Sequence, residues 1–241
     1  MEDMGDLPSL KSWLQATSPA EQVESIGRTL GTYLAHIHNE TAADSSIKEE
    51  FGSNSVGRNI SSSLYFGGLP AAAAKYGYTD AFIAAAAEAA EAEVLNSSEV
   101  LTLGDFWTGN ILVSTPDTQI MPKLTVLDLE LAKPGTAAFD IGQMGAEMLC
   151  LAHFRHLEQG RLLLQTFFSA YKAERKTRVD VAAVAIRIAA HLFTMMPRAW
   201  TAESSEEKVK TALEQGFELL KIGWERDEAA LRSSIVGVLM K

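Results

Sequence analysis

Apolar positions at Val23, Ile26, Leu30, Leu34 and Ile37 recur every three or four residues, the period of one helix face. They predict a helix over residues 18–39, with Ser18-Pro19 and Glu21 as its start signal. Residues 42–63 are rich in serine, glycine and asparagine and read as a long surface excursion. Residues 80–96 are dense in alanine, the best helix former, and the interleaved Phe82, Ile83, Val94 and Leu95 supply a packing face. The period then changes. Residues 110–114 and 123–127 are short branched-aliphatic runs separated by the turn-forming stretch Thr115-Pro116-Asp117-Thr118-Gln119, a pattern that predicts a β-hairpin. Beyond Phe139 helical periodicity returns around residues 144–156, 161–174, 179–196 and 206–224, and Pro197 is expected to end or break the third of these helices. No internal repeat or linker divides the chain. The expectation is one mainly α domain over residues 1–241 with a short β-hairpin embedded in it.

Composition narrows the function classes. The chain has 241 residues, 47% hydrophobic and 22% charged, which is the balance of a globular protein. Its net charge of −10 argues against nucleic acid or an anionic membrane as the main partner, because phosphate binding needs an excess of cations. The lone Cys150 cannot form an internal disulfide, and it lies in the apolar run Met148-Leu149-Cys150-Leu151, where it reads as a small core hydrophobe. The acidic start lacks the basic and apolar regions of a signal peptide, and no apolar run reaches the length of a membrane span. A cytoplasmic protein is the expectation.

The chemistry concentrates around the hairpin. Leu103-Gly104-Asp105-Phe106-Trp107-Thr108-Gly109-Asn110 leads into it, and Val126-Leu127-Asp128-Leu129-Glu130 leaves it. A hairpin folds the chain back on itself, so Asn110 at its entry and Asp128 at its exit become neighbours. Oxygen ligands of this kind suit Mg²⁺, which keeps several coordination positions for water and substrate phosphates. Asp105 is then left to accept a proton from a nucleophilic hydroxyl and to orient it.

The spacing Asp105-x4-Asn110, followed by a hydrophobic strand pair into Asp128-Leu129-Glu130, resembles the catalytic core of the aminoglycoside phosphotransferase and choline kinase group, which has the protein-kinase-like fold. The segment Gly135-Thr136-Ala137-Ala138-Phe139-Asp140-Ile141-Gly142-Gln143 resembles that family's glycine followed by an aspartate opening a helix. The resemblance implies an ATP- and Mg²⁺-dependent kinase of small-molecule hydroxyls. In it Asp105 is the catalytic base, Asn110 and Asp128 are Mg²⁺ ligands, and Asp140 holds the catalytic-loop backbone through hydrogen bonds. Glu130 is either a second metal ligand or a solvated strand-end acid. Residues 1–6 resemble a hinge whose Asp3 or Met4 backbone touches adenine, and residues 103–130 are the catalytic loop and metal-binding hairpin. Two departures stand out: Leu103 occupies the place of a customary histidine, and the N-terminal β-lobe, with its phosphate-covering loop and lysine, is absent. The resemblance therefore implies a C-terminal lobe alone, weakly active or inactive by itself. Its lobe-facing side, around Leu7, Leu10 and Ile111, is expected to face solvent or another chain.

Other readings stay open on the residues alone. A noncatalytic binding or regulatory module derived from a kinase lobe is one, and a helical interaction domain is another. Asp140 fits an N-cap with a structural role. His36 and His38 read as helix-end polar residues, and His191 as a hydrogen-bonded interior or cleft histidine. His153 and His156 have the spacing of two metal ligands on a helix without an evident partner. Trp107 and Trp200 fit either substrate stacking or core packing.

Overall fold

The computed structural model describes residues 5–16, 19–114, 122–202 and 204–240. Helices dominate: α1 (Leu10–Gln15), α2 (Ala20–Ala43), α3 (Ser45–Phe51), α4 (Ser55–Ser62), α5 (Leu69–Ala74), α6 (Ala81–Asn96), α7 (Ala137–Phe154), α8 (Leu157–Glu174), α9 (Val181–Thr194), α10 (Met196–Ala199), α11 (Glu206–Glu225) and α12 (Glu228–Ser233). The β part is small and consists of β1 (Val100–Thr102), β2 (Ile111–Ser114), β3 (Lys123–Val126) and β4 (Lys133–Gly135). The mainly α architecture with a short β-hairpin is therefore the observed one. Among the described residues no helix is long and apolar enough to cross a membrane.

The α2 stripe read from the sequence is a core face: Val23, Ile26, Leu30 and Leu34 are buried. Gly27 and Gly31 lie on the same helix where it packs against α8. A side chain at either would collide with Thr166 or with the Phe167 carbonyl, so the two helices meet backbone to backbone. The predicted α6 is observed with Ile83 and Val94 inside, but Leu95 faces solvent and contributes nothing to the packing face. Pro197 acts as expected. The run of α9 stops at Thr194, and the proline sits in the first turn of the short α10, where its missing N–H costs no hydrogen bond.

Residues 42–63 lie mostly at the surface, as expected, but they are helical rather than loop-like. They form the end of α2, then α3, then α4, and a π-helical turn over Ser63–Gly67 follows. Asp44 and Asn54 are helix N-caps here rather than loop formers. The Asp44 carboxylate accepts from the Ser46 N–H, and the Asn54 Oδ1 accepts from the Gly57 N–H. The turn carries Tyr65 and Phe66 into the core.

The two β pairs are both antiparallel. In the hairpin, Ile111 faces Val126 and Ser114 faces Lys123. Its predicted connecting turn lies outside the described residues. The second ribbon, β1 with β4, pairs Val100 with Gly135 and Thr102 with Lys133. The chain runs from β1 through a loop into β2, back along β3, and through a second loop into β4, so the two loops lie side by side between the ribbons.

The N-terminal segment corrects another expectation. The Val113 N–H donates to the Pro8 carbonyl, Ser9 bridges to Leu112, and α1 packs on the hairpin and on the short helical turn Thr108–Asn110. This docking covers Leu10 and Ile111 completely and half-buries Leu7, so these residues form no exposed apolar face. The hinge-like residues Asp3 and Met4 lie outside the described residues.

Candidate active site

The first loop, residues 103–110, is fixed by a buried carboxylate. Asp140 is in the first turn of α7, whose N-cap is Thr136. Its Oδ2 accepts from the Leu103 N–H at 2.7 Å and its Oδ1 from the Gly104 N–H at 3.1 Å. It is therefore a backbone anchor rather than an N-cap. His38 braces it from behind, with Nε2 3.3 Å from Asp140 Oδ2 and Nδ1 2.8 Å from the Tyr171 hydroxyl. The tautomer that satisfies both partners donates to the carboxylate and accepts from the tyrosine. Burial raises the pKa of Tyr171, so its O–H stays available to donate. His38 is thus fully buried and central, not a helix-end polar residue.

Gly104 has φ +83° and faces the Leu131 carbonyl so closely that any Cβ would clash with it. At the other end of the loop, the Leu127 N–H donates to the Asn110 carbonyl at 2.8 Å. The second loop is thereby pinned against the first at both ends, and Asp128, next to Leu127, follows the residue that faces Asn110. Asp128 has φ +59°, a left-handed conformation uncommon outside glycine, and Asp128, Leu129 and Glu130 are exposed. The Asn54 side chain donates to the carbonyls of Glu130 and Ala132, both at 2.9 Å, so the cap of α4 also holds this loop.

Asp105 and Asn110 meet directly. The Asn110 Nδ2 donates to Asp105 Oδ2 at 2.8 Å and to the Asp105 carbonyl at 3.2 Å. With Nδ2 so engaged, the amide oxygen of Asn110 is the atom left for a cation. The other Asp105 oxygen accepts from Gln143 Nε2 at 2.9 Å. Among the described residues no three His, Cys, Asp or Glu side chains cluster as an all-protein metal cage. Asn110, Asp128 and Glu130 each offer a side-chain oxygen, the donor chemistry that suits Mg²⁺.

A second buried carboxylate supports the loop from the other side. Glu147 accepts from the Thr108 hydroxyl at 3.1 Å, from Trp200 Nε1 at 3.1 Å and from His191 at 3.0 Å. His191 is the interior histidine expected, Trp200 is a core residue rather than a stacking platform, and Trp107 is half-buried. The network outweighs desolvation and holds the Glu147 carboxyl below its usual range, while burial lowers the pKa of His191. His153 and His156 point at the carbonyls of Lys208 and Gln15, so each has a structural partner.

The residues that sequence reasoning missed are Gln143, Glu147, His38, Tyr65, Arg187 and Lys133. Two of these, Gln143 and Glu147, carried a signal: with Asp140 they fall at i, i+3 and i+7 of a mostly apolar helix, and all three are buried. Lys133 is buried in β4, its Nζ 4.6 Å from the Phe139 ring and 3.2 Å from the Leu131 carbonyl, and burial brings its pKa down to about 8. The Arg187 guanidinium is also buried and lies 3.4 Å from the Tyr65 ring centre and 4.3 Å from that of Phe139.

Comparison with known proteins shows the family of the chain. Residues 2–180 match the phosphotransferase enzyme family. The 4-hydroxytryptamine kinase of Psilocybe cubensis is 30% identical over 199 residues, which is 80% of this chain and 54% of that protein. The 4-hydroxytryptamine kinase of Psilocybe cyanescens is 29% identical over 222 residues, 89% of this chain and 61% of that protein. The chain thus spans little more than half the length of these relatives. It belongs to the phosphotransferase enzyme family.

Proposed function

We propose that this member of the phosphotransferase family transfers the γ-phosphoryl group of ATP to the hydroxyl of a small molecule. The observation that carries the reading is the Asp105 carboxylate, held by Asn110 at 2.8 Å on a loop that Asp140 anchors by two backbone N–H groups. In the reaction the acceptor oxygen bonds to the γ-phosphorus, the bond to the ADP oxygen breaks, and the acceptor proton passes to Asp105. Asn110 and Asp128, with Glu130 beside them, would hold Mg²⁺, which neutralises charge on the phosphates. Asp3 and Met4 are assigned to the adenine by their place in the hinge-like start.

The names of the two relatives support a hydroxylated aromatic amine as the acceptor class. A single cysteine, fully buried, and an acidic surface suit the reducing cytoplasm. Among the described residues the β structure is limited to two two-stranded ribbons, with no sheet to cover the phosphates of ATP. The 241 residues alone are accordingly proposed to transfer slowly, since positioning supplies much of phosphoryl-transfer catalysis. The same limited β structure favours, as second reading, a noncatalytic binding module.

The deciding experiment combines Mg²⁺–ATP titration calorimetry with radiolabelled transfer to a panel of hydroxyl compounds that includes 4-hydroxytryptamine. Asp105→Asn is expected to abolish transfer while leaving nucleotide affinity nearly unchanged, and Asp128→Ala to remove the Mg²⁺-dependent part of binding. Transfer that survives Asp105→Asn rules out Asp105 as the base. Nucleotide binding with no transfer to any acceptor favours the noncatalytic module.

A further inference from the structure

We infer that Gln143 is the positioning residue of the base, holding the Asp105 carboxylate at the angle from which it meets the acceptor hydroxyl. This rests on the reading of Asp105 as the base. Asn110 fixes only one of the two carboxylate oxygens, and its own amide oxygen is committed to the cation side in that reading. A carboxylate tied at one oxygen by a partly exposed side chain still turns about its terminal torsion. Gln143 removes that freedom by donating to the second oxygen, Oδ1, at 2.9 Å. A carboxylate offers about four lone-pair directions, so both contacts leave places for the incoming proton.

Gln143 is itself held rigidly. It is 1% exposed in the interior of α7, and its Nε2 also donates to the Tyr65 hydroxyl at 3.0 Å. The Tyr65 ring lies 3.4 Å from the Arg187 guanidinium, edge-on to Phe139, and stacked on His191 at 6.1 Å between centres. The orientation of the amide follows from its partners, because a flipped amide would set its oxygen against the Asp105 carboxylate. Both N–H groups are thus spent on Asp105 and Tyr65, while Oε1 remains buried with no hydrogen-bond partner. A glutamine chosen for packing alone gains nothing from leaving its carbonyl unsatisfied. One placed to donate twice accepts that cost as part of its task.

The test compares Gln143→Leu and the isosteric Gln143→Glu with the unsubstituted chain and with Asp105→Asn. Single-turnover transfer is expected to slow by about 10- to 100-fold in both Gln143 variants, with KM for ATP and acceptor changed less than about twofold, because misplaced groups cost rate more than binding. Gln143 variants within about twofold of the unsubstituted rate, with Asp105→Asn inactive, overturn the positioning role alone. Transfer that persists in Asp105→Asn overturns the reading of the base beneath it. A second readout needs no turnover and follows the Gln143 side-chain amide protons by NMR. Their slowed exchange is expected to be lost in Asp105→Ala, and amide protons indifferent to that substitution also overturn the proposal.

Discussion

Gly104 carries two constraints at once: a positive φ, and contact with the Leu131 carbonyl where a Cβ would stand. Gly104→Ala is expected to destabilise the fold by about 2–4 kcal/mol, combining the left-handed penalty with displacement of a backbone carbonyl. Denaturant unfolding measures it, and a loss under about 0.5 kcal/mol would show that the loops part easily. At this scale the sequence was partly legible. Asp105 and Asn110 stood out by their spacing ahead of a hairpin, and their side chains do meet. Asp140 does hold the Leu103 and Gly104 N–H groups, a role that the family resemblance implied and that the residues alone read as an N-cap. His38 was not legible, because it continues the Leu30–Leu34 stripe of α2 and nothing local distinguishes a buried imidazole from a helix-end one. Its partners, Asp140 and Tyr171, are more than 100 residues away in the chain.

Among the elements, α7 does most to organise the site. Its Glu147 ties the turn at Thr108 to α9 through His191 and to the end of α10 through Trp200. Glu147→Ala leaves three buried donors without an acceptor and is expected to cost about 3 kcal/mol or more, read by urea denaturation. Glu147→Gln keeps the volume and one acceptor oxygen and is expected to cost less. The hairpin, α2, α6 and the later helices were legible because their periods are strong and their boundaries are marked by polar or proline residues. The helices α3 and α4 were not, since Asp44 and Asn54 serve equally as turn formers and as caps, and only the long-range bonds of Asn54 to Glu130 and Ala132 decide between them.

For the whole molecule, the charge of −10 says little about the interior, where cations and acids are closely interleaved. Lys133 is charged in the unfolded chain up to about pH 10.4 but in the fold only up to about pH 8. Between these values the unfolded state binds the extra proton, so stability rises with pH by about 1.4 kcal/mol per unit from this group. Below pH 8 both states are charged and the burial penalty is present in full. Lys133→Met is therefore expected to stabilise the chain at pH 7 and to flatten the rise between pH 8 and 10, as measured by denaturant unfolding across that range. No difference between the two pH profiles would mean that water reaches the amine. The paired loops carry a consequence of a different kind. The amide hydrogens of Leu103 and Gly104 are sealed against a buried carboxylate, whereas Asp128, Leu129 and Glu130 lie open to solvent. In deuterium-labelling experiments the first pair should exchange only when the entire chain unfolds, and the exposed trio through small local openings. Two segments that meet at one site would then keep separate clocks.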